Sequence, residues 1–101
     1  MAVLYIAEYD KMGIIRGQQT AIALEPPVAE QTVSIAGSSA QSSAFNAATR
    51  YVRLHTDAIC SVLFGTDPTA TAAKKRMAAN QTEYFAVPAG GTHKVAVITN
   101  S

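Results

Sequence analysis

Apolar residues in this chain recur mostly at every second position, the spacing of a strand with one buried face. Over residues 2–9, Val3, Tyr5 and Ala7 alternate with Leu4, Ile6 and Glu8, which predicts a first strand. Asp10-Lys11-Met12-Gly13 is turn chemistry, and Ile14-Ile15-Arg16-Gly17 is ambiguous. Residues 20–24 predict a short strand that Glu25-Pro26-Pro27 stops, because two consecutive prolines remove two backbone donors and favour an extended, unpaired path. Residues 31–35 predict a third strand with Val33 and Ile35 on one face. The stretch 36–48 is rich in Ser, Ala, Gly and Asn around a single Phe45; it reads as a loop followed by a short strand over 42–45.

The clearest alternation lies in residues 50–64. Val52, Leu54 and Thr56 share one parity, and Cys60, Val62 and Phe64 share another. A hairpin around Asp57-Ala58-Ile59 would set Val52 opposite Phe64, Leu54 opposite Val62 and Thr56 opposite Cys60, with Arg53 and His55 facing away. A two-residue loop would slip the register by one and bring Arg53 opposite Val62, so burial favours the longer loop. Residues 66–80 hold the only helix signals: Asp67 as a cap, Pro68 at a first helical position and an Ala/Lys-rich run. Met77 is their only sizeable apolar anchor, so the expectation is a connection with at most a short helical turn. Residues 83–87 and 93–99 predict a second hairpin across Pro88-Ala89-Gly90-Gly91. Its return strand is apolar on both parities after Lys94, the pattern of a strand covered on both sides. Six or seven short strands separated by Gly/Pro turns give an all-β, single-domain antiparallel sandwich, jelly-roll-like or a small barrel, spanning 1–101.

Composition narrows the function classes. Eight Lys+Arg stand against seven Asp+Glu in 101 residues. That balance leaves no basic excess for nucleic-acid binding by counterion release. With 49% hydrophobic residues the chain is not of disordered composition. Its apolar runs are too short to span a membrane, and its start lacks signal-peptide character. Nineteen of the apolar residues are Ala and none is Trp. A core built of such small side chains leaves a thin stability margin, from which we expect self-association or docking on a partner. The single Cys60 closes no internal disulfide.

No catalytic or metal constellation assembles. His55, Asp57 and Cys60 lie close in sequence, but the alternation turns Cys60 inward and His55 outward, and a buried Cys behaves as a small hydrophobe. His55, His93, Cys60 and Asp57 fall in no metal-ligand spacing. Gly90-Gly91-Thr92 lacks the Lys of a phosphate loop, and Gly37-Ser38-Ser39 is no nucleophile elbow. Lys74-Lys75-Arg76, the one basic cluster, reads as a solvated corner. We expect a non-enzyme without metal or cofactor.

A set of stretches carries a family likeness. These are Glu25-Pro26-Pro27-Val28-Ala29-Glu30-Gln31-Thr32-Val33, Ser43-Ala44-Phe45-Asn46-Ala47-Ala48-Thr49, Tyr51-Val52-Arg53-Leu54-His55-Thr56-Asp57-Ala58, Gly65-Thr66-Asp67-Pro68-Thr69-Ala70-Thr71, Ala78-Ala79-Asn80-Gln81-Thr82-Glu83-Tyr84 and Lys94-Val95-Ala96-Val97-Ile98. Together they resemble small virion structural proteins of tailed bacteriophages. The resemblance implies a capsid decoration (cement) protein: a small, often jelly-roll-like sandwich on the exterior of the virion. Its implied partners are the major capsid protein and other copies of itself, as dimer or trimer, with no nucleic acid and no membrane. The N-terminal stretch through Pro27 is the expected partner contact, with Tyr5, Tyr9, Glu25, Pro26 and Pro27 named for it, because the Pro-Pro break makes it the least self-contained part. Two rivals stand beside this: a head–tail joining or tail component, and a carbohydrate-binding β module using Tyr5, Tyr51, Tyr84 and Phe85.

Overall fold

The computed structural model describes residues 2–101. It has ten strands: β1 (Val3–Tyr9), β2 (Met12–Ile15), β3 (Gln18–Ala23), β4 (Ala29–Ser34), β5 (Ala40–Gln41), β6 (Tyr51–Thr56), β7 (Cys60–Gly65), β8 (Lys75–Met77), β9 (Thr82–Ala86) and β10 (Lys94–Thr99). No helix forms among the described residues. One sheet has the order β4-β1-β6-β9, a second β5-β10-β7-β8, and β2 and β3 pair only with each other. Every pairing is antiparallel. From β4 to β10 consecutive strands mostly change sheet, the wind of a jelly roll, and the N-terminal β1 fills the place between β4 and β6.

The core lies between the two four-stranded sheets. Leu4, Ile6, Val33, Val52 and Leu54 come from the first, and Cys60, Val62, Met77, Val95 and Val97 from the second, with Phe45 and Val87 closing the ends. Thus the alternation in the sequence correctly sorts which side chains point inward. It does not identify the hydrogen-bonding partners. The chain over 57–59 does not make a hairpin: β6 pairs with β1 and β9, and β7 with β10 and β8. Val52, Leu54 and Thr56 therefore face the other sheet across the core instead of lying beside β7. The segment 88–93 likewise crosses from β9 in one sheet to β10 in the other. Alternation records a buried face, and a strand crossing between sheets buries the same face as a hairpin does.

Residues 66–80 form an irregular cover with the three-residue edge strand β8. The cover lies on the outer side of the second sheet. Ser61 and Asn100 donate to the Ala72 carbonyl, and Gln41 Nε2 donates to Asp67 Oδ1 at 2.8 Å and to the Pro68 carbonyl at 2.7 Å. Ala96 and Ser61 on that side are consequently fully buried, which accounts for the two apolar parities of β10. Residues 42–45 run alongside β10 without forming a regular strand, through Ser42 N–H to the Val95 carbonyl and Phe45 N–H to the His93 carbonyl.

Glu8 has the parity of Leu4 and Ile6 and shares their inward face, with 2% exposure. Its carboxylate accepts from the Asn46 N–H at 2.7 Å, the Thr49 hydroxyl at 2.9 Å and Gln31 Nε2 at 3.1 Å. A buried carboxylate persists when donors replace its water. These bonds tie β1 to the 46–49 turn, and Arg50 N–H continues the tie to the Tyr9 carbonyl at 2.8 Å.

Candidate interaction surface

Between β1 and β4 the chain leaves the sandwich as an arm, β2 and β3. The arm closes through Arg16 (φ 53°) and Gly17 (φ 80°). Two adjacent residues at positive φ give the tight turn whose twist matches that of paired strands. Arg is an uncommon occupant of such a position, which is why residues 14–17 are ambiguous in the sequence. Register shifts between Met12 and Ile14, where Thr20 Oγ1 bonds the Gly13 carbonyl at 3.0 Å. A Cβ on Gly13 would stand 3.3 Å from the Ile22 carbonyl oxygen, so this close approach favours glycine.

Large apolar side chains crowd the arm and its root in the open: Ile14 (69% exposed), Ile22 (59%), Ile15 (54%), Leu24 and Met12. Cross-strand pairing puts Ile14 with Gln19 and Ile15 with Gln18, so neighbouring Ile14 and Ile15 point to opposite faces of the ribbon. Exposed apolar side chains concentrated in one place mark an interaction surface, and a ribbon apolar on both faces is suited to cover on both sides.

The root of the arm is anchored by two tyrosines on the outer face of the first sheet. Tyr9 and Tyr51 stack with ring centroids 5.2 Å apart and are buried beside Ala7 and Ala23. Tyr51 donates to the Lys11 carbonyl at 2.6 Å, and Tyr9 to Glu25 Oε2 at 2.8 Å. Burial, helped by the bond to Glu25 and its negative charge, pushes the Tyr9 phenol up to about 12. Burial also raises Tyr51. All four tyrosines lie on this face; Tyr5 and Tyr84 remain open at 44% and 55% exposure.

The residues expected to meet a partner therefore separate. Tyr5 is at the surface beside the His55 ring, 6.3 Å away. Tyr9 lies inside the anchor, with Glu25 bonded to it. Pro26 and the half-buried Pro27 follow the arm, the Glu25–Pro26 peptide being cis. Of the aromatics considered for stacking on sugars, Tyr51 is buried and Phe85 packs on Phe64 at 5.1 Å.

Beneath the arm lies a cleft of about 520 Å³. One wall is Ala21, Ile22 and Ala23 of β3, the other Tyr84, Phe85 and Ala86 of β9, with Arg50 and Tyr51 between them. Arg50 is held by its backbone, N–H to the Tyr9 carbonyl and carbonyl to the Val87 N–H at 2.9 Å. A second hollow shares Arg50 and Tyr51 and adds Asp10, Lys11 and Ile14.

The residues considered for chemistry are kept apart. Cys60 is buried, and burial raises its thiol while the adjacent Thr56 hydroxyl partly offsets this. His55 faces the other side and bonds Thr82 Oγ1 at 2.8 Å. Among the described residues no three His, Cys, Asp or Glu gather in a metal-holding group, and no helix is long and apolar enough to cross a membrane. Lys75 of the basic cluster extends over the Phe85 ring, 5.4 Å from its centroid.

Comparison with protein-family models, curated proteins and solved structures finds no match.

Proposed function

We propose that this chain is a capsid decoration protein of a tailed bacteriophage, binding the outside of the major capsid shell in many copies and stabilising it. The arm carries the proposal: it exposes Ile14, Ile15 and Ile22 on a ribbon that contributes nothing to the core between the two sheets. A chain gains from keeping such a surface open only where a partner covers it. The likeness to small phage virion proteins in the stretches quoted above supplies the identity of that partner. A jelly-roll-like sandwich, an architecture that recurs among capsid proteins, suits the role. Burying an Ile completely is worth about 1.5–3 kcal/mol, so three half-exposed ones supply only a few kcal/mol per arm. Repetition over a symmetric shell converts such modest contacts into firm attachment.

The test is sedimentation with heads of the phage that encodes the chain. Heads lacking the protein should bind it back at many copies each and regain resistance to heat and low salt. Binding at a few copies at one vertex would indicate a head–tail joining component instead, and no binding would end the proposal.

A further inference from the structure

The outer face of the first sheet carries a hollow whose position follows from the pairing of its strands. Register sets Thr32, Tyr5, His55 and Thr82 in one row across β4, β1, β6 and β9, and Glu30, Ala7, Arg53 and Tyr84 in the next. Both rows have the parity opposite to the core residues and so point outward. Ala7 is the smallest side chain of the two rows, and over it lies a hollow of about 360 Å³ bounded by Tyr5, Glu30, Thr32 and Arg53. That is the lower end of the range of small-ligand sites, about 300–1,000 Å³. Arg53 is half-buried and Glu30 exposed. Neither side chain has a hydrogen-bond or ion-pair partner among the described residues.

The chemistry of the walls selects the ligand. Register places Glu30 and Arg53 on opposite sides of Ala7, so an anion in the hollow meets the carboxylate and a cation meets the guanidinium. A neutral ligand rich in hydroxyls, each both donor and acceptor, satisfies the two together. Strand addition is closed to this place, because β1 and β6 are paired on both sides. Tyr5, 44% exposed, offers its ring to the apolar face of a sugar, an amphipathic contact that tyrosine suits. Tyr84, 55% exposed, stands beyond Arg53, two strands across and two residues along from Tyr5. By strand spacing and rise their Cα positions are about 12 Å apart, more than one sugar ring covers. A free amino acid would answer both charges but falls short of Tyr84. The geometry points to a glycan site: a neutral oligosaccharide stacks on Tyr5, bonds to Arg53 and Glu30 over Ala7, and reaches Tyr84 with a further sugar. This binding activity rests on the chain alone and not on the decoration reading. On a shell, many copies would multiply a weak single-site affinity.

Cellohexaose, maltohexaose and chitohexaose serve as probes, with sodium phosphate and spermine as ionic controls. At least one of the sugars should shift the backbone amides of residues 5–7, 30–32, 53 and 84 in NMR spectra of the isotope-labelled chain, with a Kd of about 1 mM or tighter. Tyr5→Ala and Arg53→Ala should each weaken that binding at least tenfold, while Tyr5→Phe, which keeps the ring, should bind within twofold of the unaltered chain. Tyr84→Ala should reduce the affinity for the hexasaccharide to that for its monosaccharide. The same spectra show that each variant is folded, so a loss of binding is not a loss of structure. No shift with any of the three sugars, shifts confined to other residues, or undiminished binding by Tyr5→Ala would each overturn the inference. Phosphate or spermine shifting the same amides more strongly than every sugar would overturn it too, by making the hollow a site for an ion.

Discussion

Replacing Glu8 with Ala should unfold much of this small domain's stability, and the size of the loss can be worked from three bonds. The Asn46 N–H and the Thr49 hydroxyl, at 2.7 and 2.9 Å from Glu8 Oε1, would lose their acceptor, and Thr49 is fully buried. Leaving a buried donor unpaired costs about 1–3 kcal/mol. Gln31 contributes little to the loss, because its Nε2 also reaches the Ser43 carbonyl at 3.2 Å. Asn46 is itself exposed, so water can take over its N–H, and the expected cost is about 2–4 kcal/mol, against the 5–15 kcal/mol typical of a whole domain. Glu8→Gln keeps one acceptor oxygen but turns an amide donor towards Gln31, whose own carbonyl oxygen holds the Ser43 N–H at 2.9 Å; it should cost about 1–2 kcal/mol. Urea unfolding followed by tyrosine fluorescence and circular dichroism gives both numbers. A cycle with Thr49→Val isolates the shared bond, since residues in one network do not add. A loss below about 1 kcal/mol for Glu8→Ala, or strict additivity with Thr49→Val, would refute the reasoning.

Three further outcomes follow from the packing. Because the Tyr9 phenol is held up to about 12, above its unfolded value near 10, its contribution is complete below pH 10 and is lost as pH climbs towards 12. Thermal melts across pH 9–12 should show alkaline destabilisation that Tyr9→Phe reduces. Met77, 1% exposed, is the only large anchor of 66–80, so Met77→Ala should cost about 2–5 kcal/mol and speed proteolysis there before the rest of the chain. Cys60, buried and with its thiol raised, should react with a thiol reagent only at the rate of unfolding, and a fast reaction in native buffer would contradict its placement.

The inward residues of the sandwich were legible because a buried face leaves alternation in the sequence. Val33 and Ile35, Val52 to Thr56, Cys60 to Phe64 and the solitary Met77 all read correctly. The pairing was not legible, since β6 meets β1 across some fifty residues and nothing local records that choice. Proximity in sequence suggested two hairpins where the chain instead crosses between sheets. The arm was hidden by Arg16, which occupies a turn position usually given to Asn or Gly. Glu8 carried a faint signal, a charge on an otherwise apolar parity, but its donors Asn46 and Thr49 are distant in sequence. Arg50 gave no signal, because a lone Arg ahead of a strand has no pattern until β3 and β9 enclose it. The prolines draw attention to the stretch through Pro27, and the exposed apolar side chains of the arm lie within it, just before them.

The central claim is that the open apolar arm exists to be covered by another protein in an assembled particle. A density map of the phage head with this chain bound tests it most directly. The account predicts many copies on the outer shell, with Ile14, Ile15 and Ile22 buried between sandwich and shell. Copies whose arms project into solvent, or a chain absent from the head altogether, would contradict it.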